Sequence, residues 1–329
     1  MTVYLTVVLT STLLCLILTP LVSTVSTALG LVDAPGGRKV HSLSVPRMGG
    51  LAVTMASVLT LLATATLARW QQIEAPSLQP LTPILIGAAL VFGIGLLDDL
   101  RPIAAWVKLL VQTLAAIIVI GSGLRIETTT VLGGTVSLGL MAWPVTLLWI
   151  VGLTNGFNLI DGLDGLAAGI AVIAGATCAT ILVARGHAAE ATLLTALVGA
   201  AMGFLVYNFA PASIFLGDSG SLVFGFVLAT TAITGWQKGA TALAAGVPLL
   251  IFALPLADAI SALTRRLTRR RADKPVTTAS LLRQIAEPDR EHIHHWLIAL
   301  GWSTHRTVIV LYVVTGALSA LALATANLD

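Results

Sequence analysis

The feature that most constrains this chain is a series of about ten apolar segments, each long enough to span a bilayer as a helix. Only 10% of its 329 residues are charged, whereas a soluble domain has about 25%. We therefore predict an all-α polytopic membrane protein with a single integral-membrane domain, residues 1–329, and no soluble domain. The predicted segments are residues 3–29, 49–70, 82–98, 104–122, 141–158, 164–184, 190–207, 219–236, 240–263 and 305–327.

Basic residues are distributed unequally between the loops on the two sides of this predicted bundle. Most Lys and Arg, and most acidic residues, lie on the side of the loops that follow odd-numbered segments. Cytoplasmic loops carry an excess of Lys and Arg, so this side is predicted to be cytoplasmic, with both termini on the other side. No Lys or Arg precedes the first segment, so we expect it to remain as an uncleaved helix.

One loop on the opposite side has the composition of a β-hairpin. Residues 125–131 and 135–138 are rich in strand-forming residues, and Gly133 and Gly134 lie between them. This pattern predicts two short antiparallel strands joined by a tight turn. We therefore expect a small extracytoplasmic hairpin that takes no part in chemistry.

A stretch with two carboxylates and two asparagines, N-G-F-N-L-I-D-G-L-D-G-L-A-A-G, residues 155–169, lies where the fifth and sixth apolar segments meet. Asp161 and Asp164 are three residues apart, so on a helical turn they share one face. Carboxylates at a membrane-embedded helix end are energetically costly and are candidate functional residues. The alternative for Asp164 is that it caps the sixth helix.

Two further helix ends on the predicted cytoplasmic side carry carboxylates. Asp98 and Asp99 end the third predicted helix, where the helix dipole favours cations. The pair is suited to binding Mg²⁺, or to one member accepting a proton while the other binds the metal; the alternative is a solvated helix end paired with Arg101. Asp218 lies in G-D-S-G-S at a helix start, which suits a metal-bound phosphate or a simple N-cap.

The first predicted cytoplasmic loop, residues 33–50, is basic and rich in turn residues. Its positive donors suit a phosphate-bearing ligand, and the alternative is a loop that only sets the topology. These donors are Arg38, Lys39, His41 and Arg47.

Three histidines lie close together in P-D-R-E-H-I-H-H-W, residues 288–296. We expect His292, His294 and His295 to donate hydrogen bonds to a diphosphate. A zinc site is less well supported, because no cysteine accompanies them. Asp258, near the end of the ninth segment, is left open between orienting an arginine and capping a helix.

These polar elements, in this order, resemble one family, the polyprenyl-phosphate N-acetylhexosaminyl-1-phosphate transferases, the group that contains WecA, TagO and MraY. The first-loop histidine pattern and H-I-H-H resemble the WecA/TagO branch, which uses UDP-GlcNAc, because Ile293 interrupts the triple-histidine run of the MraY branch. The matching pieces span nearly the whole chain. They are R-K-x-H…P-R-x-G-G at 38–50, D-D at 98–99, N-x-x-D-G-L-D-G-L at 158–166, G-D-S-G-S at 217–221 and D-R-E-H-I-H-H at 289–295.

The resemblance implies transfer of an N-acetylhexosamine 1-phosphate, here GlcNAc-1-phosphate, from a UDP-sugar to undecaprenyl or decaprenyl phosphate. UMP is released at the cytoplasmic face of a bacterial plasma membrane, and cell-envelope polysaccharide synthesis begins. Mg²⁺ is the implied cofactor, with Mn²⁺ as a substitute. No nucleic-acid partner is expected, and a homodimer is left open.

The family roles carry over to matching positions of this chain. The implied catalytic residues are Asp98, Asp99, Asp161 and Asp164, and the implied metal ligands are Asp218 and Asp99. The implied substrate-binding residues are Arg38, Lys39, His41, Arg47, Asn158, His292, His294 and His295.

Two other functions remain as alternatives. One is a phospho-MurNAc-pentapeptide transferase of peptidoglycan synthesis, from the MraY branch. The other, from a different class, is a secondary transporter, whose ion-binding residues belong near the bilayer midplane. The acidic residues of this chain lie instead at helix ends on one side, which favours the transferase.

Overall fold

The computed structural model describes residues 2–33, 44–71, 78–131, 134–236, 246–268 and 292–326. These residues are predominantly helical, with two small two-stranded sheets, which confirms the predicted all-α polytopic membrane fold. The helices are α1 Thr2–Ala28, α2 Gly49–Gln71, α3 Thr82–Leu100, α4 Ala105–Gly121, α5 Ala142–Ile160, α6 Leu166–Ala184, α7 Ala188–Asn208, α8 Asp218–Trp236, α9 Gly246–Ile251, α10 Ala253–Thr268, α11 Ile293–Ala299 and α12 Thr304–Thr325. The strands are β1 Val32–Asp33, β2 Val45–Pro46, β3 Thr128–Val131 and β4 Gly134–Ser137.

The first eight predicted segments and the tenth each coincide with one helix, whereas the described part of the ninth, residues 246–263, is divided. Within the described residues, seven helices are both long and apolar enough to cross a membrane. The ninth segment was predicted as one helix over 240–263, but α9 and α10 are separated at Phe252. Pro255 has no N–H to donate to the carbonyl of Ile251, so a continuous helix would lack that hydrogen bond.

Helix α8 forms the centre of the bundle and packs against both α3 and α5. Nearly all of its residues are buried, including the rings of Phe224 and Phe226. Helix α1 is peripheral and exposes Leu9, Leu13 and Ile17 at four-residue spacing. Lipid tails are as apolar as leucine, so this face of α1 is suited to contact with the bilayer.

Strands β3 and β4 form the predicted hairpin, with Thr128 opposite Ser137 and Val131 opposite Gly134. Helix α3 runs toward the paired aspartates and α4 runs back, so this hairpin lies at the opposite end of the bundle from Asp98. Strands β1 and β2 form a second antiparallel pair. That pair was not predicted, because two-residue strands are too short to show an alternating pattern.

Candidate active site

The C-terminal end of α3 contacts the first turn of α8 through Asp99. This carboxylate is only 8% exposed. Its oxygens accept hydrogen bonds from the backbone N of Asp218 (2.8 Å) and of Ser219 (3.1 Å), and from Ser219 Oγ (2.5 Å). Backbone N–H groups in the first turn of a helix have no partner within the helix. Asp99 supplies that partner and so holds Asp218 in place.

Two glycines make this close contact between α3 and α8 feasible. Gly217 has a φ of +77°, a conformation that glycine adopts without steric cost, and a Cβ atom there would lie 2.6 Å from Asp99 Oδ1. A Cβ atom on Gly95 of α3 would lie 2.7 Å from the backbone of Asp218. Larger residues at either position would push the two helix ends apart.

Lys108, in the first turn of α4, joins two of the predicted carboxylates. Its Nζ is 2.7 Å from Asp218 Oδ2 and 3.2 Å from Asp98 Oδ2. Asp98 Oδ1 also accepts a hydrogen bond from the backbone N of Ile103 at 2.7 Å. In the sequence, Lys108 was assigned only to the basic side of the membrane. No local signal distinguishes it from a basic residue that only anchors the helix at the membrane surface.

Asn158 brings α5 into the same cluster. Its Nδ2 donates to Asp218 Oδ1 at 2.9 Å and to Ser221 Oγ at 3.0 Å. Asp218 therefore has both oxygens engaged, one by an amide of α5 and one by the ammonium of α4. The structure thus brings Asp98, Asp99, Asn158 and Asp218 together, although they lie far apart in the sequence.

Asp161 follows the last residue of α5 and differs from the other carboxylates. None of the described residues donates a hydrogen bond to it or pairs with it. Its partial removal from water raises its pKa well above the usual range, and the negative charge of nearby carboxylates raises it further. Those neighbours are Asp218, Asp99 and Asp164. A divalent cation bound among these carboxylates would relieve their mutual repulsion.

A magnesium ion fits this donor set, although no preformed cage is present. Among the described residues, no three His, Cys, Asp or Glu side chains converge closely enough to hold a metal. Mg²⁺, however, keeps several waters and is usually held by one or two carboxylates together with substrate phosphates. Asp161 and Asp218 suit that arrangement. Asp99 suits it less well, because its oxygens accept from backbone N–H groups at the start of α8, which cannot turn aside, whereas the oxygens of Asp218 accept only from the side chains of Lys108 and Asn158.

Asp164 is buried and contacts the connection between α7 and α8. Its Oδ2 accepts a hydrogen bond from the backbone N of Ala212 at 2.9 Å. It does not cap α6, because Gly165 occupies the N-cap position without a side-chain cap. Asn208, which the sequence did not single out, accepts from the backbone N of Gly165 at 3.1 Å. Asp164 and Asn208 therefore hold the segment that leads to Asp218.

The end of the first loop packs against this same segment. The backbone N of Gly49 donates to the carbonyl of Phe215 at 2.9 Å, and that of Gly50 donates to Leu216 at 2.7 Å. The side chain of Arg47 is 44% exposed and lies 3.6 Å from Asp33. Arg47 itself forms an isolated parallel β-bridge with Phe215, so its backbone lies beside the segment that leads to Asp218. The other predicted donors of this loop, Arg38, Lys39 and His41, lie outside the described residues.

His292 is buried and paired with a carboxylate from α10. Its Nδ1 is 3.0 Å from Asp258 Oδ2, and the backbone N of Ile293 donates to Asp258 Oδ1 at 2.9 Å. Asp258, whose role the sequence left open, is 1% exposed. The side chains of His294 and His295 lie outside the described residues, so their predicted contacts remain predictions.

The path of α10 places this pair at the site end of the bundle. Helix α8 starts at the site and ends at the opposite side, so α9 and α10 run back toward the site. The carbonyl of Pro255 lies against Gly156 of α5, where a Cβ atom would approach to 2.8 Å. Asp258 is one helical turn further on, level with the end of α5 that carries Asn158.

The chain matches the family model described as Glycosyl transferase family 4 over residues 81–236. It is 38% identical over 306 residues to a probable undecaprenyl-phosphate N-acetylglucosaminyl 1-phosphate transferase of Bacillus subtilis, covering 92% of this chain and 80% of the relative. A decaprenyl-phosphate N-acetylglucosaminephosphotransferase of Mycobacterium tuberculosis is 32% identical over 312 residues, covering 88% and 74%. A phospho-N-acetylmuramoyl-pentapeptide-transferase of Lactobacillus gasseri is 32% identical over 300 residues, covering 87% and 86%.

These similarities extend over most of this chain and most of each relative. The range matched to the family model, residues 81–236, contains the paired aspartates, the central polar stretch and the G-D-S-G-S turn. The resemblance that the motifs indicated is thereby confirmed: the chain belongs to the polyprenyl-phosphate N-acetylhexosaminyl-1-phosphate transferase family.

Proposed function

We propose that this protein transfers N-acetylglucosamine 1-phosphate from UDP-GlcNAc to a polyprenyl phosphate and releases UMP. The observation that carries this proposal is the junction of Asp98, Lys108, Asn158 and Asp218, which come from four helices and meet at one end of an apolar bundle. A lipid-anchored acceptor and a soluble anionic donor must meet at such a membrane surface. The names of the two relatives from Bacillus subtilis and Mycobacterium tuberculosis support the same activity.

The reaction exchanges one phosphoanhydride bond for another. An oxygen of the lipid phosphate attacks the β-phosphorus of UDP-GlcNAc and forms a new P–O bond. The bond from the β-phosphorus to the bridging oxygen breaks, and that oxygen leaves with UMP. Negative charge on the phosphoryl oxygens must be stabilised during transfer. Lys108 is the cation that the described residues place beside Asp98 and Asp218.

Mg²⁺ is the cofactor that we propose for this site, held by Asp161 and Asp218. When bound, it would neutralise charge on the diphosphate and orient it. Asn158 and Asp99 then act on Asp218 itself, by fixing its carboxylate and its backbone. Asp98, whose side chain is 19% exposed, is the member of the pair that an acceptor phosphate at the membrane surface can approach.

We propose that the site faces the cytoplasm of a bacterial cell, as a multi-pass protein of the plasma membrane. The loops on the site side carry most of the Lys and Arg residues, and such loops remain cytoplasmic. UDP-sugars are made in the cytoplasm, so this orientation gives the site access to its donor.

Purified protein with undecaprenyl phosphate, Mg²⁺ and radiolabelled UDP-GlcNAc tests the proposal. We expect UMP and lipid-linked GlcNAc in equal amounts, and no UMP without the lipid. The comparison donor is UDP-MurNAc-pentapeptide. It is chosen because the relative from Lactobacillus gasseri, a phospho-N-acetylmuramoyl-pentapeptide-transferase, is also similar over most of its length. Turnover of that donor alone would replace the proposed function with the alternative, and no UMP from either would favour a transporter.

A further inference from the structure

The turn between α5 and α6, which begins at Asp161, is held by a side chain that has no part in the proposed reaction. This side chain is Tyr312 of α12, whose hydroxyl donates a hydrogen bond to the carbonyl of Gly165 at 2.5 Å. The two residues are 147 positions apart in the sequence. Tyr312 therefore connects the last described helix to the end of the turn that carries Asp161.

Gly165 ends this turn and is fixed through both of its backbone polar groups. Its N–H donates to Asn208 Oδ1 at 3.1 Å, and its carbonyl also accepts from the backbone N of Gly169 at 2.9 Å. Its φ of +80° is a conformation that glycine adopts without steric cost. The same residue is thus held from α7 by Asn208 and from α12 by Tyr312.

Gly169, the last residue of the central polar stretch, is what allows Tyr312 to reach the turn. A Cβ atom at Gly169 would lie 2.1 Å from the hydroxyl oxygen of Tyr312 and 2.4 Å from one of its ring carbons. Non-bonded carbon atoms prefer a separation of about 3.5–4.0 Å, so any larger residue would displace the ring. The stretch that carries Asp161 therefore contains both the acceptor for this hydroxyl and the space for this ring.

Asp161 depends on the turn for its position. None of the described residues donates a hydrogen bond to its carboxylate or pairs with it, so the backbone of the turn decides where the carboxylate lies. A functional group must be held within about 0.5 Å of its productive geometry by the residues that support it. The contact between Tyr312 and Gly165 is such a support, because it fixes the end of the turn four residues after Asp161.

We propose that Tyr312 is a positioning residue for the metal site, whose hydroxyl fixes the turn so that Asp161 can bind Mg²⁺ together with Asp218. The inference rests on the proposed function for the presence of Mg²⁺ at this site. Groups that orient metal ligands without touching the metal commonly change metal affinity or activity by about 10–100-fold when they are removed.

Tyr312→Phe removes the hydroxyl and keeps the ring that packs against Gly169. We expect the affinity for Mg²⁺, measured by calorimetric titration and by the Mg²⁺ dependence of UMP release, to fall by about tenfold. Excess Mg²⁺ should restore kcat to within about twofold of the wild type, because mass action repopulates the metal-bound form. The KM for UDP-GlcNAc at saturating Mg²⁺ should then be unchanged. A purely structural role would leave a loss of activity that Mg²⁺ does not reverse.

Tyr207→Phe is the matched control. The hydroxyl of Tyr207 donates to the carbonyl of Leu16 at 3.0 Å and so joins α7 to the peripheral helix α1. This variant loses the same chemical group from the same kind of contact, but the contact does not involve the turn. We expect a similar small decrease in melting temperature for both variants, and wild-type affinity for Mg²⁺ only in Tyr207→Phe.

A double-mutant cycle tests whether Tyr312 acts through Asp161. In an Asp161→Asn background, Tyr312→Phe should change the affinity for Mg²⁺ by less than about twofold, because residues that act through one another are not additive. An equal loss of affinity in both backgrounds would overturn the inference. Wild-type affinity in Tyr312→Phe alone, or no binding of Mg²⁺ by the wild type, would also overturn it.

Hydrogen exchange measured by mass spectrometry depends on neither turnover nor metal. Amide groups in a segment that opens more often exchange faster, so residues 161–169 should exchange faster in Tyr312→Phe than in the wild type or in Tyr207→Phe. Unchanged exchange there would show that the hydroxyl does not hold the turn. Failure of the wild type to release UMP would instead reject the proposed function, while the Mg²⁺ titration and the exchange rates would still decide the role of Tyr312.

Discussion

Asp98 and Asp99 are adjacent in sequence, but their carboxylates have different surroundings. Asp99 is buried and accepts three hydrogen bonds from the start of α8. Asp98 is more exposed and pairs with Lys108 at 3.2 Å. Neighbouring residues on a helix point about 100° apart, so only one of the two can face the interior. In the structure, Asp99 is the residue that faces the interior.

Substituting each aspartate in turn by asparagine tests whether the two carboxylates have different roles. Asp99→Asn replaces one acceptor oxygen by a donor that faces backbone N–H groups, so we expect the free energy of unfolding to fall by about 1.5–3 kcal/mol. Asp98→Asn removes a partly exposed ion pair, so it should cost less than about 1 kcal/mol while strongly lowering UMP release. Thermal unfolding in detergent and the transfer assay measure the two effects. Equal losses of stability would contradict this division.

The raised pKa of Asp161 predicts pH-dependent binding of Mg²⁺. Below that pKa the carboxyl group is protonated and cannot hold a cation, so raising the pH deprotonates it and should tighten binding. Binding should also release a proton. Calorimetric titration with Mg²⁺ at two pH values, one at each end of the range in which the protein stays folded, measures both effects, which can reach about tenfold in affinity per pH unit. The matched variant is Asp161→Asn, which should bind weakly at both pH values; unchanged binding there would remove Asp161 from the metal site.

At the scale of elements, the site depends on how closely the start of α8 approaches α3. The carboxylate of Asp99 and the backbone of Asp218 meet only because Gly217 and Gly95 have no side chains. Helix α8 is also fixed from α5, through Asn158. The geometry of the site is therefore a property of helix packing, rather than of any one motif.

Gly217→Ala tests this dependence. A residue with a Cβ atom at positive φ costs about 1–2 kcal/mol, and this Cβ would also collide with Asp99. We expect a lower melting temperature and a loss of activity of about tenfold or more, an amount equal to about 1.4 kcal/mol. Gly152→Ala on α5 is the control, because a Cβ there meets no atom within 4 Å. A wild-type melting temperature and rate for Gly217→Ala would show that the close approach is not required.

At the scale of the whole molecule, the bundle has a polar end that carries the site and an opposite end that carries the β3–β4 hairpin. The two cysteines of the chain, Cys15 and Cys178, are both buried, as expected for residues inside apolar helices. They should therefore react slowly with polar reagents. Single introduced cysteines can therefore be used to map the orientation of the protein in the membrane.

Cysteine labelling in intact cells tests the predicted orientation. Arg101 lies in the exposed turn between α3 and α4 at the site end, and Thr128 lies in the exposed start of the hairpin. The variants Arg101→Cys and Thr128→Cys therefore place one reactive thiol at each end of the bundle. A membrane-impermeant maleimide should label Thr128→Cys from outside, and should label Arg101→Cys only after the membrane is opened. The unmodified protein is the control for background labelling. The reverse pattern would place the site outside the cell and reject the proposed access to UDP-sugars.

The sequence alone predicted the fold class, the family and, apart from the ninth segment, where the long apolar helices lie. Hydrophobic length and turn composition are local properties, and the ordered motifs carry the resemblance, so none of these requires knowledge of packing. Local pattern also predicted the β3–β4 hairpin. It did not separate α9 from α10, because the effect of Pro255 depends on where the helix starts.

Only the tertiary structure decided which polar groups meet. Asp99 is 119 residues from Asp218, and Asp258 is 34 residues from His292, so no local signal connects either pair. Lys108 is similar, because a basic residue near a membrane surface has the same sequence pattern whether it anchors the helix or joins two carboxylates. Partners of this kind are chosen by the angles and distances at which helices pack. Those depend on side chains from the whole bundle, and above all on glycines that allow two helix ends to touch.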